Sequence, residues 1–185
     1  MSYQNFDDFV ASEANHVPLT PLSFLPRTAL MYPDRRAIVY GNRSYTWQSF
    51  FHRCQKLASA LNGAGVSKGD TVAVLAANTP EMIEAHFGVP MSGAVLNTIN
   101  TRLDDETIAY ILEHGEAKVF IVDYELAPQV KDALNILKDN DLLVIDILDY
   151  QNSTAPASMG RTDYESFLSA GSEEGQWHMP SDEWD

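Results

Sequence analysis

Between Trp47 and Asn62 the apolar residues Phe50, Phe51, Cys54, Leu57, Ala58 and Leu61 recur three and four positions apart. That spacing predicts one face of a helix, with Thr46 as its N-cap and Gly63 and Gly65 closing it. Thr71 to Ala77 is instead a continuous apolar run of strand length, which suits a strand covered on both faces. Asn78, Thr79 and Pro80 then supply a cap and a first-turn proline for a helix through about Gly93. Gly88 and Pro90 inside that stretch predict a kink or an early end. A short strand, Ala94 to Thr98, comes next. Asp104, Asp105 and Glu106 open the next helix, where carboxylates complement the positive end of the helix dipole. Ile108, Ile111 and Leu112 form its buried stripe, and Gly115 ends it. Ala117 to Asp123 reads as a strand, Glu125 to Lys138 as a helix and Leu142 to Leu148 as a strand. The rhythm β, α, β, α, β, α, β predicts an α/β fold: a mainly parallel, doubly wound sheet with right-handed crossovers and helices on both faces.

The flanks carry weaker patterns. Residues 1–21 show no clear period and include Pro18 and Pro21, so an extended N-terminal arm is expected, leading into a short helix near Leu22 to Tyr32. Ala37 to Thr46 is two β-prone runs around Gly41-Asn42, the chemistry of a tight hairpin. Beyond Asp149 the composition turns polar, so the chain is expected to leave the sheet through a loop. Thr162 to Ala170 suits a short helix with Tyr164, Phe167 and Leu168 on one side. These boundaries divide the chain into the arm 1–21, an α/β subdomain 22–170 and an acidic segment 171–185. That last segment holds five carboxylates with Trp177 and Trp184 and no usable period, so the chain reads as cut rather than finished.

Composition narrows the picture. A chain of 185 residues, 45% of them hydrophobic, is long enough for one domain with a full core. No apolar run approaches the roughly 20 residues that cross a bilayer, and the opening residues have no basic start, so a soluble, cytoplasmic chain with no membrane span is expected. The formal charge of −14, with only 12 Lys and Arg, argues against a nucleic-acid partner. It also opposes any polyphosphate ligand unless a local electropositive pocket outweighs it. Cys54 is the only cysteine, so neither an internal disulfide nor a paired-Cys metal site can form, and a buried, inert thiol is expected.

Motifs that carry chemistry are mostly absent. The sequence has no Gly-x-x-x-x-Gly-Lys-Ser/Thr loop, no Gly-x-Gly-x-x-Gly after a strand and no His-Glu-x-x-His. The βα turns Ala76 to Pro80 and Val122 to Leu126 lack the glycines that let amides wrap a phosphate. In a doubly wound sheet the carboxyl ends of the strands remain the default ligand site. Asn78, Thr79, Asn97 and Asn100 are therefore the candidates there, against a plain role in capping and loop hydrogen bonding. His16, His52, His86, His114 and His178 are scattered, and packing or dipole roles suit His86 and His114. Arg102 is expected to pair with Asp104 or Asp105 rather than hold an anion.

Several runs resemble one family: Val17 to Leu25, Tyr45-Thr-Trp47, Gly69 to Val74, Ala85 to Leu103 with its Gly93-Ala-Val-Leu-Asn-Thr98 block and Asn100-Thr-Arg-Leu103, and Ile108 to Phe120. Together they are similar to the N-terminal part of AMP-forming acyl-CoA synthetases, closest to the fatty acyl-CoA ligases, plant-type acyl-activating enzymes and methylmercaptopropionate-CoA ligases. The resemblance runs from about residue 17 to the end. It implies an ATP-dependent ligase in which carboxylate and ATP give acyl-adenylate and pyrophosphate, and CoA then displaces AMP. The cofactors it implies for the full-length enzyme are ATP, CoA and magnesium, and its small-molecule partner is a fatty or small organic acid.

In the family the phosphate loop, the metal-binding Glu and the catalytic Lys all come after a stretch resembling Pro180 to Asp185. No catalytic, cofactor-binding or metal residue is therefore assigned within these 185 positions, the chain alone is expected to be inactive, and no cofactor is expected to bind it tightly. A homodimer through the N-terminal region is compatible with the resemblance, as is part of the apolar surface standing exposed. The alternative is a naturally short, non-catalytic scaffold or dimerisation module.

Overall fold

A computed structural model of the chain describes residues 16–137, 141–148, 159–174 and 177–182. The first 15 residues of the expected arm, the loop expected over 149–158, the helix end at Lys138 and Trp184 lie outside the described residues.

The N-terminal helix and hairpin form as their sequences dictate. The Thr20 hydroxyl accepts the Leu22 N–H at 3.3 Å and caps one 3-10 turn, which runs into α1 (Phe24–Met31). Strands β1 (Arg36–Tyr40) and β2 (Arg43–Thr46) pair antiparallel around Gly41-Asn42, with Gly41 at φ 54°. Thr46 accepts the Ser49 N–H at 3.2 Å and starts α2 (Trp47–Gly63). Leu22 and Leu25, Ile38 of the hairpin, and Phe50, Cys54 and Ala58 of α2 close one apolar cluster, with Trp177 packed against it.

The main sheet holds β3 (Thr71–Leu75), β4 (Val95–Thr98), β5 (Ala117–Asp123), β6 (Leu143–Ile147) and β7 (Thr162–Asp163), all parallel, in the order β4-β3-β5-β6-β7. Helices α3 (Pro80–Met91), α4 (Asp105–His114), α5 (Ala127–Leu137) and α6 (Tyr164–Ser169) connect or succeed them. Side chains alternate between the two faces with the strand period of two. Val72, Val74, Val119, Ile121 and Ile145 point to α2, α3 and α6. Ala73, Leu75, Phe120 and Val122 point to α4 and α5. Both faces are covered, which is why these strands read as unbroken apolar runs. The chain steps outward from β3 to β4 and then back past β3 to β5, so the winding reverses between β3 and β5.

Several expectations need correction. Gly88 and Pro90 do not end α3, which runs through both to Met91. Pro90 falls in the last turn, where few helical bonds remain to lose. Gly88 is there for packing: a Cβ at that position would lie 2.7 Å from the Leu57 side chain of α2. A further strand, which the sequence did not suggest, follows the loop expected after β6. The chain returns as β7, because the Asp146 carboxylate accepts the N–H groups of Met159 and Gly160 at 2.8 Å and the Arg161 N–H donates to Val144 O at 3.0 Å. Helix α5 begins later than expected, after a separate 3-10 turn, Tyr124–Leu126. Gly115 comes directly after α4, yet it sits at φ −79° and Glu116 takes the left-handed conformation at φ 48°.

The residues beyond α6 fold back along α2. Lys56 pairs with Glu173 at 2.8 Å, the Ser172 N–H donates to Ser59 Oγ at 3.0 Å, and the His178 N–H donates to Met91 O at 2.8 Å. Trp177 meets Phe51 edge-on at 6.3 Å. A tail without sequence period is thus ordered by contacts with a helix more than a hundred positions earlier, so Trp177 has a packing role within this chain.

Candidate functional site

The carboxyl edge of the sheet is where an open α/β fold holds ligands, at the point where the winding reverses. Here that point lies between the ends of β3 and β5. Asp123, the last residue of β5, is buried there. Its carboxylate accepts the Glu125 N–H at 3.0 Å and is also held by the Ala77 N–H of the turn after β3. Burial raises its pKa above the usual aspartate value, and these two N–H groups partly offset that rise. The sequence signal was an apolar run ended by an acid, which reads as a strand end and says nothing of the neighbouring turn.

A folded carboxyl whose pKa lies above its unfolded value binds its proton more tightly when folded. Its stabilising effect is therefore complete below the ordinary aspartate pKa of 3.8 and is lost as pH rises through the folded value. Asp123→Asn is expected to remove this dependence. Thermal melts should show the variant gaining on the parent chain as pH rises from mild acid to neutrality, and parallel curves would contradict the assignment.

The four asparagine and threonine candidates do not converge. Thr79 is buried and caps α3, accepting the Met82 N–H at 3.4 Å. Asn78 stands exposed beside it. Asn100 closes its own turn by accepting the Arg102 N–H at 3.0 Å. Asn97 lies within β4 and its amide nitrogen rests beside Gly115, in the layer of α4 rather than at the edge. The capping and loop roles account for Thr79 and Asn100. Arg102 departs from expectation: it is exposed and makes no ion pair with Asp104 or Asp105 among the described residues. The Asp104 carboxylate is engaged by the Thr107 N–H at 2.7 Å as the cap of α4.

The histidines stay apart. His86 Nδ1 lies 2.8 Å from the Met82 carbonyl of its own helix. His114 stacks on Tyr110 in the last turn of α4, His52 faces Glu173 at 3.3 Å, and His16 and His178 are exposed. No group of three or more His, Cys, Asp or Glu suited to a metal occurs among the described residues. Cys54 is fully buried, and burial, with a smaller push from the charge of Glu84, holds its thiol well above the usual value. A thiol reagent is expected to label Cys54 only after denaturation; rapid labelling of the native chain would contradict that.

The densest polar cluster sits in the opposite layer. Glu84 of α3 is fully buried, takes both Arg53 Nε at 2.5 Å and Arg53 Nη2 at 3.2 Å, and accepts the Tyr164 hydroxyl at 2.9 Å. Arg53 reaches on to Glu165 at 2.6 Å and lies over the Tyr45 ring at 5.0 Å. Arg43 and the buried Glu81 pair beside it at 2.5 Å. Sequence reading missed this cluster, because its members are spread over 122 positions, from Arg43 to Glu165. Glu84, Arg53, Tyr164 and Glu165 satisfy one another, so the cluster fastens α2, α3, α6 and the hairpin together rather than presenting a reactive group.

Among the described residues, two cavities open at the other end of the sheet, by the first residues of β3 and β4. One of about 290 Å³ lies beside the Lys118–Asp70 pair, which stands at 2.7 Å. The other, of about 470 Å³, is bordered by Leu22, Lys68, Val95, His178 and Met179. Neither meets the carboxyl edge. The phosphates of ATP and CoA do not fit the residues present: Asp123 and Glu81 are buried acids at the β3–β5 reversal, and the turns there carry no glycine amides for a phosphate.

Comparison with known proteins completes the picture. The family described as AMP-binding enzyme matches residues 25–181. The peroxisomal acetate/butyrate–CoA ligase AAE7 of Arabidopsis thaliana is 40% identical over 195 residues, covering 98% of this chain and 34% of that protein. The acetate–CoA ligase CCL3 of Humulus lupulus is 41% identical over 191 residues, covering 98% and 34%. The chain thus spans about a third of the length of the curated relatives it matches. Among solved structures, the anthranilate CoA ligase AuaEII in complex with anthranoyl-AMP superimposes with a TM-score of 0.76 at 22% identity, over 91% of this chain and 32% of that one. At that identity the likeness speaks for the fold alone. The family match covers most of the chain, including the Gly93 to Thr98 block and the Asn100 to Leu103 turn after it, and by it this chain belongs to the AMP-binding enzyme family.

Proposed function

We infer that this chain forms the amino-terminal sheet layer of an ATP-dependent acid–thiol ligase, which joins a carboxylic acid to CoA through an acyl-adenylate and releases AMP and pyrophosphate. The observation that carries the reading is the family match over residues 25–181, supported by 40% identity to a curated acetate/butyrate–CoA ligase along 98% of the chain. A short carboxylic acid is the substrate class we favour, in line with the names of those relatives. ATP, CoA and magnesium belong to the whole enzyme. In this reading the chain alone holds none of them tightly and supplies no catalytic residue: its acidic carboxyl edge repels the phosphates of ATP and CoA, and no group of three or more His, Cys, Asp or Glu suited to a metal occurs among the described residues. Its role is to support the remainder of the enzyme, with residues 1–21 as an arm, 22–170 as the α/β unit and 171–185 as the connection to that remainder. Cytoplasmic location and a homodimer formed through the N-terminal region are part of this reading.

The test begins with the coding DNA past codon 185. The longer product is expected to catalyse ATP–pyrophosphate exchange that depends on acetate or butyrate, whereas this chain alone gives none. Acid-dependent exchange by this chain would overturn the reading, as would a stop codon directly after Asp185. Cell fractionation and sedimentation of the longer product test the location and the dimer.

A further inference from the structure

The outer face of α1 is apolar and has no partner among the described residues. Phe24, Leu30 and Met31 are 65%, 81% and 63% exposed, while Leu25 and Ala29 on the other side are buried. At 3.6 residues per turn, Phe24, Arg27, Leu30 and Met31 fall within an arc of about 120°. They therefore form one continuous stripe with Arg27 inside it. The stripe continues past the helix end, where Arg35 lies over the half-exposed Tyr32 ring at 5.0 Å. Arg27, Arg35 and Arg36 are exposed, and none is in an ion pair among the described residues. Residues 16–46 hold four arginines against one aspartate, a local excess of positive charge in a chain whose total is −14.

We propose that residues 1–15 of the same chain dock on this face. Their composition is its complement: Tyr3, Phe6, Phe9 and Val10 supply large apolar groups, and Asp7, Asp8 and Glu13 supply carboxylates, with no Lys or Arg among the 15. The segment joins the described chain at His16, eight positions before α1 begins. Fifteen residues reach as far as about 50 Å when extended, several times the roughly 12 Å length of an eight-residue helix. Apolar contact supplies the affinity, and the opposite charges fix the orientation. An anionic membrane is the weaker match. Three exposed arginines are a small attraction at such a surface, and a body at −14 is repelled by it.

The methionines read the answer. Met31 lies on the proposed docking face, Met179 borders the 470 Å³ cavity that is the rival seat for the segment, and fully buried Met91 reports folding. In the intact chain, dilute peroxide followed by mass spectrometry should oxidise Met31 about fivefold more slowly than in a chain lacking residues 2–15, the ratio expected when the docked form outweighs the open form by about that factor. The variant F6S/F9S, with residues 2–15 retained, should lose the protection while Met91 stays unoxidised throughout. Equal Met31 rates in all three proteins overturn the proposal. So does protection of Met179 in place of Met31, which puts the segment in the cavity. Protection that fades on dilution overturns it in favour of a second copy, and protection that appears only with phosphatidylserine vesicles overturns it in favour of a lipid surface.

Discussion

Replacing Arg53 with alanine is expected to cost about 3–5 kcal/mol of stability, because it leaves Glu84 charged and buried without its partner. Glu84 has no exposed surface, and its two carboxylate oxygens are held by Arg53 and the Tyr164 hydroxyl. Burial already raises its pKa, and Arg53 is the main force holding it down. Without the guanidinium the folded-state pKa rises further above the unfolded one. The folded protein then gains relative stability as pH falls, since a proton can neutralise the buried carboxyl. The deficit of Arg53→Ala should therefore be largest near neutral pH and shrink in mild acid, as read by urea unfolding followed by circular dichroism. A triple change, R53M/E84L/Y164F, removes the three groups that meet at the buried carboxylate and should lie much closer to the parent chain, because the Glu165 it releases is already in contact with solvent. If Arg53→Ala loses less than about 1 kcal/mol, in the range of exposed ion pairs, the cluster is not what fastens α6 to the sheet layer.

The second large effect belongs to the crossing of α2 and α3. Leu57→Ala should cost about 2–5 kcal/mol, since the side chain is fully buried and its loss leaves a cavity. Gly88→Ala pulls in two directions. An alanine in a helix interior gains about 1 kcal/mol over glycine. Its methyl group, however, would sit 2.7–2.9 Å from three side-chain atoms of Leu57, and overpacking of this kind costs about 1–3 kcal/mol. The clash wins, because Leu57 is fully buried in the core cluster it shares with Leu61, Val72 and Val89 and has no open surface to swing into. In the double variant the new methyl group fills part of the space left by Leu57, so the combined loss should fall short of the sum by at least about 0.5 kcal/mol. Strict additivity would show that the two residues do not share this contact.

These two sites mark where sequence reading stopped. Gly88 and Pro90 carry the local chemistry of a helix end, and nothing local tells a breaker from a glycine kept small by a neighbouring helix. The return of the chain as β7 was hidden for a related reason. Thr162 and Asp163 are too few to show a strand period, and their pairing depends on Asp146 organising the turn that precedes them. Arg102 shows the opposite error, because an ion pair expected from sequence proximity fails once Asp104 is committed to capping α4. The members of the polar cluster lie on separate elements, and nothing local in the sequence brings them together.

By itself the sequence determined the α/β class, the order of the long elements, the two-sided burial of the central strands and the family. All of these come from periodicity, capping residues and a block of near-contiguous residues, each of which acts over a few positions. Only the tertiary structure decided the strand order, the return through β7, the packing of α6, Ser172, Glu173 and Trp177 along α2 and the company that Glu84 and Asp123 keep. Those depend on which surfaces meet across the chain. A buried carboxylate is stable only if a cation or N–H group from a distant element arrives to satisfy it, and that arrival is a property of the packed molecule.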